Sequence, residues 1–352
     1  MATITTWNRF AATANYVDVG NWSGGLVPGP DDTAEFKASD TTNISIISDK
    51  TVGAWLFNPG AGQYNFNITY NGSISFEGGG IAVNAGSVHI FNFDITDFTN
   101  GSTAGGSLID NFAYLDFAGS STAGAATIHT FGGGGRSFFD GAATGGFAQF
   151  ITDASGFVDF SGSVGRDGRG HVTAGSIAGA GAYRLGADQL TVGLNGLSTE
   201  VSGPVEDDGA HRGSGASLVK AGHGALKLSH TGNTYTGGTT LESGVLDLAA
   251  VRAAGPEAIA FAGRATLKIE NSALSAHHFG NLIDFFAKHD LLDLTGLHFH
   301  AGATAIYHKV NHHLIVHSGG KTDTLTLLSP HGTHFEATSD HHGGTDMFLV
   351  FA

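Results

Sequence analysis

Residues 222–248 read GHGALKLSHTGNTYTGGTTLESGVLDL, and they limit the architecture more than any other stretch of the chain. Three short runs, residues 225–229, 239–241 and 245–248, alternate apolar and polar side chains, and Gly, Asn, Thr and Ser separate them. A period of two marks half-buried strands and the separators mark tight turns, so the pattern is strand, turn, strand, turn, strand. Its apolar set, Leu226, Leu228, Leu241, Val245, Leu246 and Leu248, is too small to form a core alone. Such a unit is stable only when stacked on more of the same. Composition points the same way: 55 of the 352 residues are Gly and only 13% are charged, which opposes helices and suits a chain of many turns.

The stacking unit repeats upstream. Residues 41–98 hold runs of four to six alternating residues, among them Ile44 and Ile46, Phe66 and Ile68, Ile74 and Phe76, and Val88 and Ile90, with Gly or Asn between the runs. Residues 100–105 (NGSTAG), 119–124 (GSSTAG) and 141–145 (GAATG) then echo one another. Phe98, Phe117, Phe139 and Phe160 follow at spacings of 19, 22 and 21 residues, which predicts coils of about 20 residues with one phenylalanine stacked inside each. The small residues of the STAG echo form the turn along one edge.

Lys220 and the residues after it (KAGHGALKL), the NTYTGGTT run from Asn233 and the GVLDL run from Gly244 resemble the autotransporter-associated β-strand repeat of bacterial passenger domains. The resemblance implies an all-β fold, a right-handed parallel β-helix. Trp7, Trp22 and the turn over residues 24–36 are similar to the opening of such proteins, where aromatic rings cover the first coil, and Pro28 and Pro30 stop any ladder. Residues 279–297 (FGNLIDFFAKHDLLDLTGL) resemble the module that closes many of them, with His289-Asp290 standing where Gly-Asp is usual. The expected organisation is an N-terminal cap over residues 1–40, solenoid repeats over 41–250, and a His-rich C-terminal solenoid and cap region over 251–352. Residues 273–288, with Phe279, Leu282, Ile283, Phe285 and Phe286, are the one segment expected to hold a short helix. The polar stretch 205–215 is expected to be a loop excursion.

Several function classes are disfavoured. A formal charge of −15 with only 16 Lys and Arg does not suit a nucleic-acid partner. No apolar run approaches the length of a membrane-spanning helix. The residues after Met1 lack the basic start and apolar run of a leader, whereas Asp346 followed by MFLVFA is similar to the C-terminal signal of type I secretion substrates. The translocator strands of an autotransporter do not follow in this sequence, so the expectation is either a translocator separated from this chain or export by another machine, in both cases to the exterior or the cell surface. Asp31-Asp32 and Asp207-Asp208 are turn pairs, GRDGRG at residues 165–170 lacks the Lys and helix of a phosphate loop, and no G-x-S-x-G elbow occurs. The chain is not expected to be an enzyme or to require a cofactor.

Histidine is the unexpected feature, with 13 of 19 lying from His277 onward. His298 and His300 would share one face of a strand, about 7 Å apart, and His308, His312, His313 and His317 follow in the next coil. With no cysteine present, these six are the candidate ligands for zinc, nickel or copper, with a nearby aspartate as carboxylate partner; calcium is the other cation such an acidic chain would take. Protonating all 19 histidines would also carry the formal charge from −15 past zero, which makes association between copies pH-dependent. The expected function is a secreted structural solenoid that polymerises head to tail into an extracellular filament, sheath or surface layer. The alternative is a monomeric adhesin for a cell surface or polysaccharide, or a metal scavenger.

Overall fold

The structure is a computed structural model that describes residues 2–350. It is an all-β solenoid of about twelve parallel coils, roughly 22 residues each. The only helical pieces among the described residues are three single 3-10 turns, Val19–Asn21, Ser23–Gly25 and Asn271–Ala273. Contacts divide the chain into two compact units. The first runs to Gly175 and takes in Gly179–Arg184 and Gly209–His211; the second holds Ser176–Ala178, Leu185–Asp208 and the chain from Arg212 onward.

In the first unit each coil contributes one strand to each of two parallel sheets. One sheet runs from Ile4–Thr6 through Thr33–Phe36, Lys50–Phe57, Ser73–Val83, Ile95–Phe98, Tyr114–Phe117, Arg136–Gly141 and Phe157–Ser163 to Ala182–Arg184. The other runs from Asn43–Ile46 through Gln63–Ile68, Ser87–Asn92, Leu108–Asn111 and Thr127–Thr130 to Gln149–Thr152. Phe76, Phe98, Phe117, Phe139 and Phe160 point inward and stack, with ring centroids 4.8, 5.0, 4.8 and 4.7 Å apart, as the spacing predicts. That distance equals the separation of neighbouring strands, so the rings sit directly over one another. Opposite them a polar row is buried: Asn92 donates to Asn111 Oδ1 at 2.9 Å, and Asn111 donates to the Arg136 carbonyl at 2.9 Å.

The STAG echo forms the turn expected of it. Thr103, Thr122 and Thr144 pair in succession as isolated bridges. Gly124 sits at φ 65° against the backbone of Gly105, where a side chain would collide. At the N-terminus Trp7, Tyr16 and Trp22 are buried and interlock edge to face, 5.0 Å between centroids in both pairs. Their polar atoms are satisfied, Trp22 Nε1 donating to the Tyr16 carbonyl and Trp55 Nε1 to Tyr16 Oη, as buried indoles require.

In the second unit Thr199–Val201, Ala225–Leu228, Gly244–Leu248, Ala265–Ile269 and Leu291–Leu294 stack in parallel. Gln189–Val192, Ser217–Lys220, Thr239–Leu241, Ile259–Phe261, His278–Asp284 and Lys321–Leu327 do the same. Pairing then turns antiparallel. Thr345–Leu349 folds onto Leu291–Leu294 and Phe335–Ser339 onto Thr345–Leu349, while Thr304–His308, His313–Ser318 and Lys321–Leu327 form a meander. Where a short helix was expected, His278–Asp284 is a strand. Phe279, Asn281 and Ile283 are buried and Gly280 and Leu282 exposed, a period of two that the dense apolar run conceals. The excursion at 205–215 is tied down by Asp207, which accepts from the amides of Gly215 and Ala216 and from Thr236.

Removing one rung of the phenylalanine stack leaves a cavity that the rings above and below cannot close. Phe117→Ala is expected to lower the stability of the first unit by about 3–5 kcal/mol, read as a lower urea midpoint with unchanged slope.

Candidate functional site

The register that stacks the phenylalanines also fixes what lies outside them. Because strand side chains alternate, the residue before each inward phenylalanine points outward. Ser75, Asp97, Asp116, Phe138 and Asp159 therefore form one outer row, and Ser73, Ile95, Tyr114, Arg136 and Phe157 form the next. Over the first of these rows lies a cleft of about 420 Å³ lined by Asp97, Asp116 and Phe138 of that row, by Tyr114 on one side and by Thr99, Ala118 and Asp140 on the other. Asp97 and Asp116 stand on adjacent coils, a strand separation of about 4.8 Å apart.

The cleft is negatively charged and not neutralised. Asp97 accepts a hydrogen bond from Ser75 Oγ at 3.0 Å, whereas Asp116 Oδ1 is shut off from solvent with no hydrogen-bond partner. Burial pushes the Asp116 carboxyl up to about 6, with repulsion from Asp97 and Asp140 adding to it. Burial raises Asp97 as well, against the hydroxyl of Ser75. The nearby cation turns elsewhere: Arg136 donates to Tyr114 Oη at 2.9 Å and lies over the rings of Tyr114 and Phe157.

Sequence reasoning missed this row because it sought paired carboxylates adjacent in the chain. Those pairs organise turns. Asp32 accepts from the Thr3 hydroxyl at 2.6 Å and the Gly29 amide at 2.9 Å, and these bonds hold its carboxyl below the ordinary range. The available signal was the dipeptide Asp-Phe recurring at Asp97-Phe98, Asp116-Phe117 and Asp159-Phe160.

The six candidate histidine ligands are distributed differently from expectation. His298 and His300 lie outside the strands, in the connection after Leu291–Leu294, so strand alternation does not align them. His298 Nδ1 sits 3.0 Å from the Gly343 carbonyl. His308 faces His313 across the antiparallel hairpin, His312 occupies its turn with Nδ1 3.2 Å from Tyr307 Oη, and His317 pairs with Thr322 Oγ1 at 2.7 Å. Among the described residues no three His, Asp or Glu side chains converge as a ligand set.

Residues 218–248 match the family model described as Passenger-associated-transport-repeat. The stacked coils around it fit that match. The chain is a β-solenoid that carries a passenger-associated transport repeat. No curated protein and no solved structure matches it. Passenger repeats of this kind fit an extracellular or surface protein with a structural or adhesive role.

In this β-helix the residues that mark the repeat hold coils together. Lys220 is buried at 1% exposure, and its Nζ donates to the carbonyls of Ala221, Gly222 and Ser243 at 2.7, 3.0 and 3.1 Å, joining the turns of two coils. Burial pushes its ammonium down to about 8. Gly244, at φ 74°, lies against the carbonyls of Gly222 and Gly224 and against Lys220 Nζ, so the lysine fits only beside a residue without Cβ. Asn233 receives the Val205 amide and donates to the Ala253 carbonyl, and Tyr235 Oη bonds Thr239 Oγ1 at 2.6 Å. None of these groups is open to a ligand.

The outer carboxylates give the β-helix a pH dependence of definite sign. A carboxyl whose folded pKa lies above its unfolded value binds an extra proton in the folded state, so its stability contribution is lost as pH rises from about 4 through 6. Asp116→Asn is expected to raise the melting temperature at pH 7.5 and to leave it nearly unchanged at pH 4. Thermal unfolding of both proteins across that range checks this, and a gap between them that stays constant with pH would contradict it.

Proposed function

We propose that this chain is a secreted structural solenoid that joins end to end into an extracellular filament, sheath or surface layer. The observation that carries the reading is the strand Ile4–Thr6. It pairs with Thr33–Phe36 on one side and has no strand on the other among the described residues. Ile4, Phe10 and Leu26 of the same terminal segment are 66, 75 and 69% exposed. The Thr6 amide on that edge donates to Ser23 Oγ, and the part at Ile4, beside exposed apolar side chains, is a template for another chain; pairing that does not close on itself gives an open polymer. Export through a type I-like signal in residues 346–352 belongs to the same reading. Residues 351–352 of that run lie outside the described residues, and Met347 and Leu349 are core positions of a strand.

A second reading, adhesion to a surface polysaccharide, is favoured by the Asp97, Asp116, Tyr114 and Phe138 cleft. A metal-scavenging role for His298, His300, His308, His312, His313 and His317 is separable from both.

Negative-stain microscopy and sedimentation of purified protein test the first reading. Filaments or long oligomers are expected, and Ile4→Lys, which puts a charge on that exposed edge, is expected to abolish them without changing the melting temperature by more than a few degrees. Monomers under every salt, pH and metal condition would overturn it. Stoichiometric uptake of zinc, nickel or copper without growth of particles would favour scavenging, and retention on a polysaccharide matrix that Asp116→Asn weakens would favour adhesion.

A further inference from the structure

The outer face of the second unit carries a row of charges that alternate in sign. Glu200, Lys227, Asp247, Lys268 and Asp293 stand in register on successive parallel strands. Asp247 stands between the two lysines; Lys268 Nζ lies 3.2 Å from its Oδ2, and Lys227 Nζ lies 2.8 Å from Glu270 Oε1. At the next rung the alternation fails. The antiparallel strand Thr345–Leu349 sets Asp346 directly opposite Asp293, where directly opposed side chains are about 5 Å apart.

We propose that the Asp293–Asp346 pair is a proton-operated latch. With one of the two carboxyls protonated, Thr345–Leu349 stays closed on Leu291–Leu294. With both ionised, the strand opens more often, together with Phe335–Ser339, its partner on the other side, and each opening uncovers the edge of Leu291–Leu294.

Every group facing the pair bears on its charge. Lys268 approaches from Ala265–Ile269 but is engaged by Asp247. Asp340 adds a third negative charge and is pinned there, its Oδ1 accepting from the amides of His342 and Gly344, both at 2.7 Å. His341 in the same turn opposes it, and His298 reaches that turn through the Gly343 carbonyl. On the far side Asp346 meets only Thr338. Asp293 Oδ1 and Asp346 Oδ1 are both shut off from solvent with no hydrogen-bond partner, as expected of carboxyls that are stable only while one is neutral. Burial pushes Asp293 up to about 6, and Asp346 and Asp340 add to the rise; Asp346 is raised by burial and by Asp340.

Contacts that do not titrate hold the strand closed at any pH. Met347 and Leu349 are buried, and Thr345 Oγ1 donates to the Leu297 carbonyl at 2.7 Å. The proton therefore sets how often the strand opens, not whether it is docked. The closed form binds a proton that the open form releases between about pH 4 and 6, so opening increases by up to about tenfold per pH unit there and levels off above.

Amide hydrogen exchange of the full chain, dilute enough to be monomeric and corrected for chemical exchange, tests this without reference to assembly. Opening of Thr345–Leu349 is expected to be at least about tenfold more frequent at pH 6.5 than at pH 4.5, with Ala225–Leu228 unaffected. Asp346→Asn is expected to remove the dependence and to protect the strand at pH 7.5, and Asp293→Asn to do the same should the first variant fold poorly. Opening that does not vary with pH in the wild type, or that varies as strongly in both variants, would overturn the latch.

Discussion

A coil of about 22 residues in this protein has too few apolar side chains to hold itself together, and its stability comes from the coil above and the coil below. The interaction that supplies it is in-register stacking of inward side chains, seen most directly in the phenylalanines at 76, 98, 117, 139 and 160, with centroids 4.7 to 5.0 Å apart. Parallel strands space their hydrogen bonds evenly, so like residues fall over like. The geometry tolerates coils of different length, 19 residues between Phe98 and Phe117 but 22 between Phe117 and Phe139, because turns absorb the surplus. Turns are consequently where Gly, Asn and Thr accumulate, and where Lys220 is spent joining carbonyls of successive coils.

Register imposed from inside leaves the outer face no freedom to choose its neighbours. Whatever residue precedes an inward side chain is stacked on its counterpart one coil away. In the second unit this gives Lys227, Asp247 and Lys268 in alternation, with Lys268 paired to Asp247 and Lys227 to Glu270. In the first unit the same rule puts Asp97 next to Asp116 with no cation between them. Like charges directly opposed are destabilising, and the buried, unpartnered oxygen of Asp116 sharpens the cost. Structural demands alone do not call for that pairing, which occurs among the described residues here and at Asp293–Asp346.

The inside of the solenoid was legible in the sequence and the outside was not. Phenylalanine spacing, the STAG turn and the strand–turn alternation around Lys220 each report a local periodicity, and each appears in the structure as written. The outer carboxylate rows depend on which residues of different coils are in register, and turns of variable length hide that. Antiparallel pairing after Leu291–Leu294 was equally hidden, since an alternating strand reads the same whichever way its neighbour runs. This is why His308 and His313 meet across a hairpin, not along a stack of coils. The helix expected around Phe279 failed for a related reason: Leu282, Phe285 and Phe286 crowd the pattern, while Leu282 and Phe285 are in fact exposed at 41 and 49%.

The histidines follow from the turns. Of ten non-glycine residues with positive φ among those described, four are His277, His289, His312 and His341, so histidine has taken positions that favour glycine or asparagine. His289, at φ 77°, holds a conformation that glycine adopts freely, and histidine is among the few side chains that enter the left-handed region readily. A turn residue on a solenoid points away from the core. These imidazoles are therefore solvent-facing by construction, and their effect must be exerted on the surface. They are spread over separate corners, and among the described residues no three His, Asp or Glu side chains converge on one point.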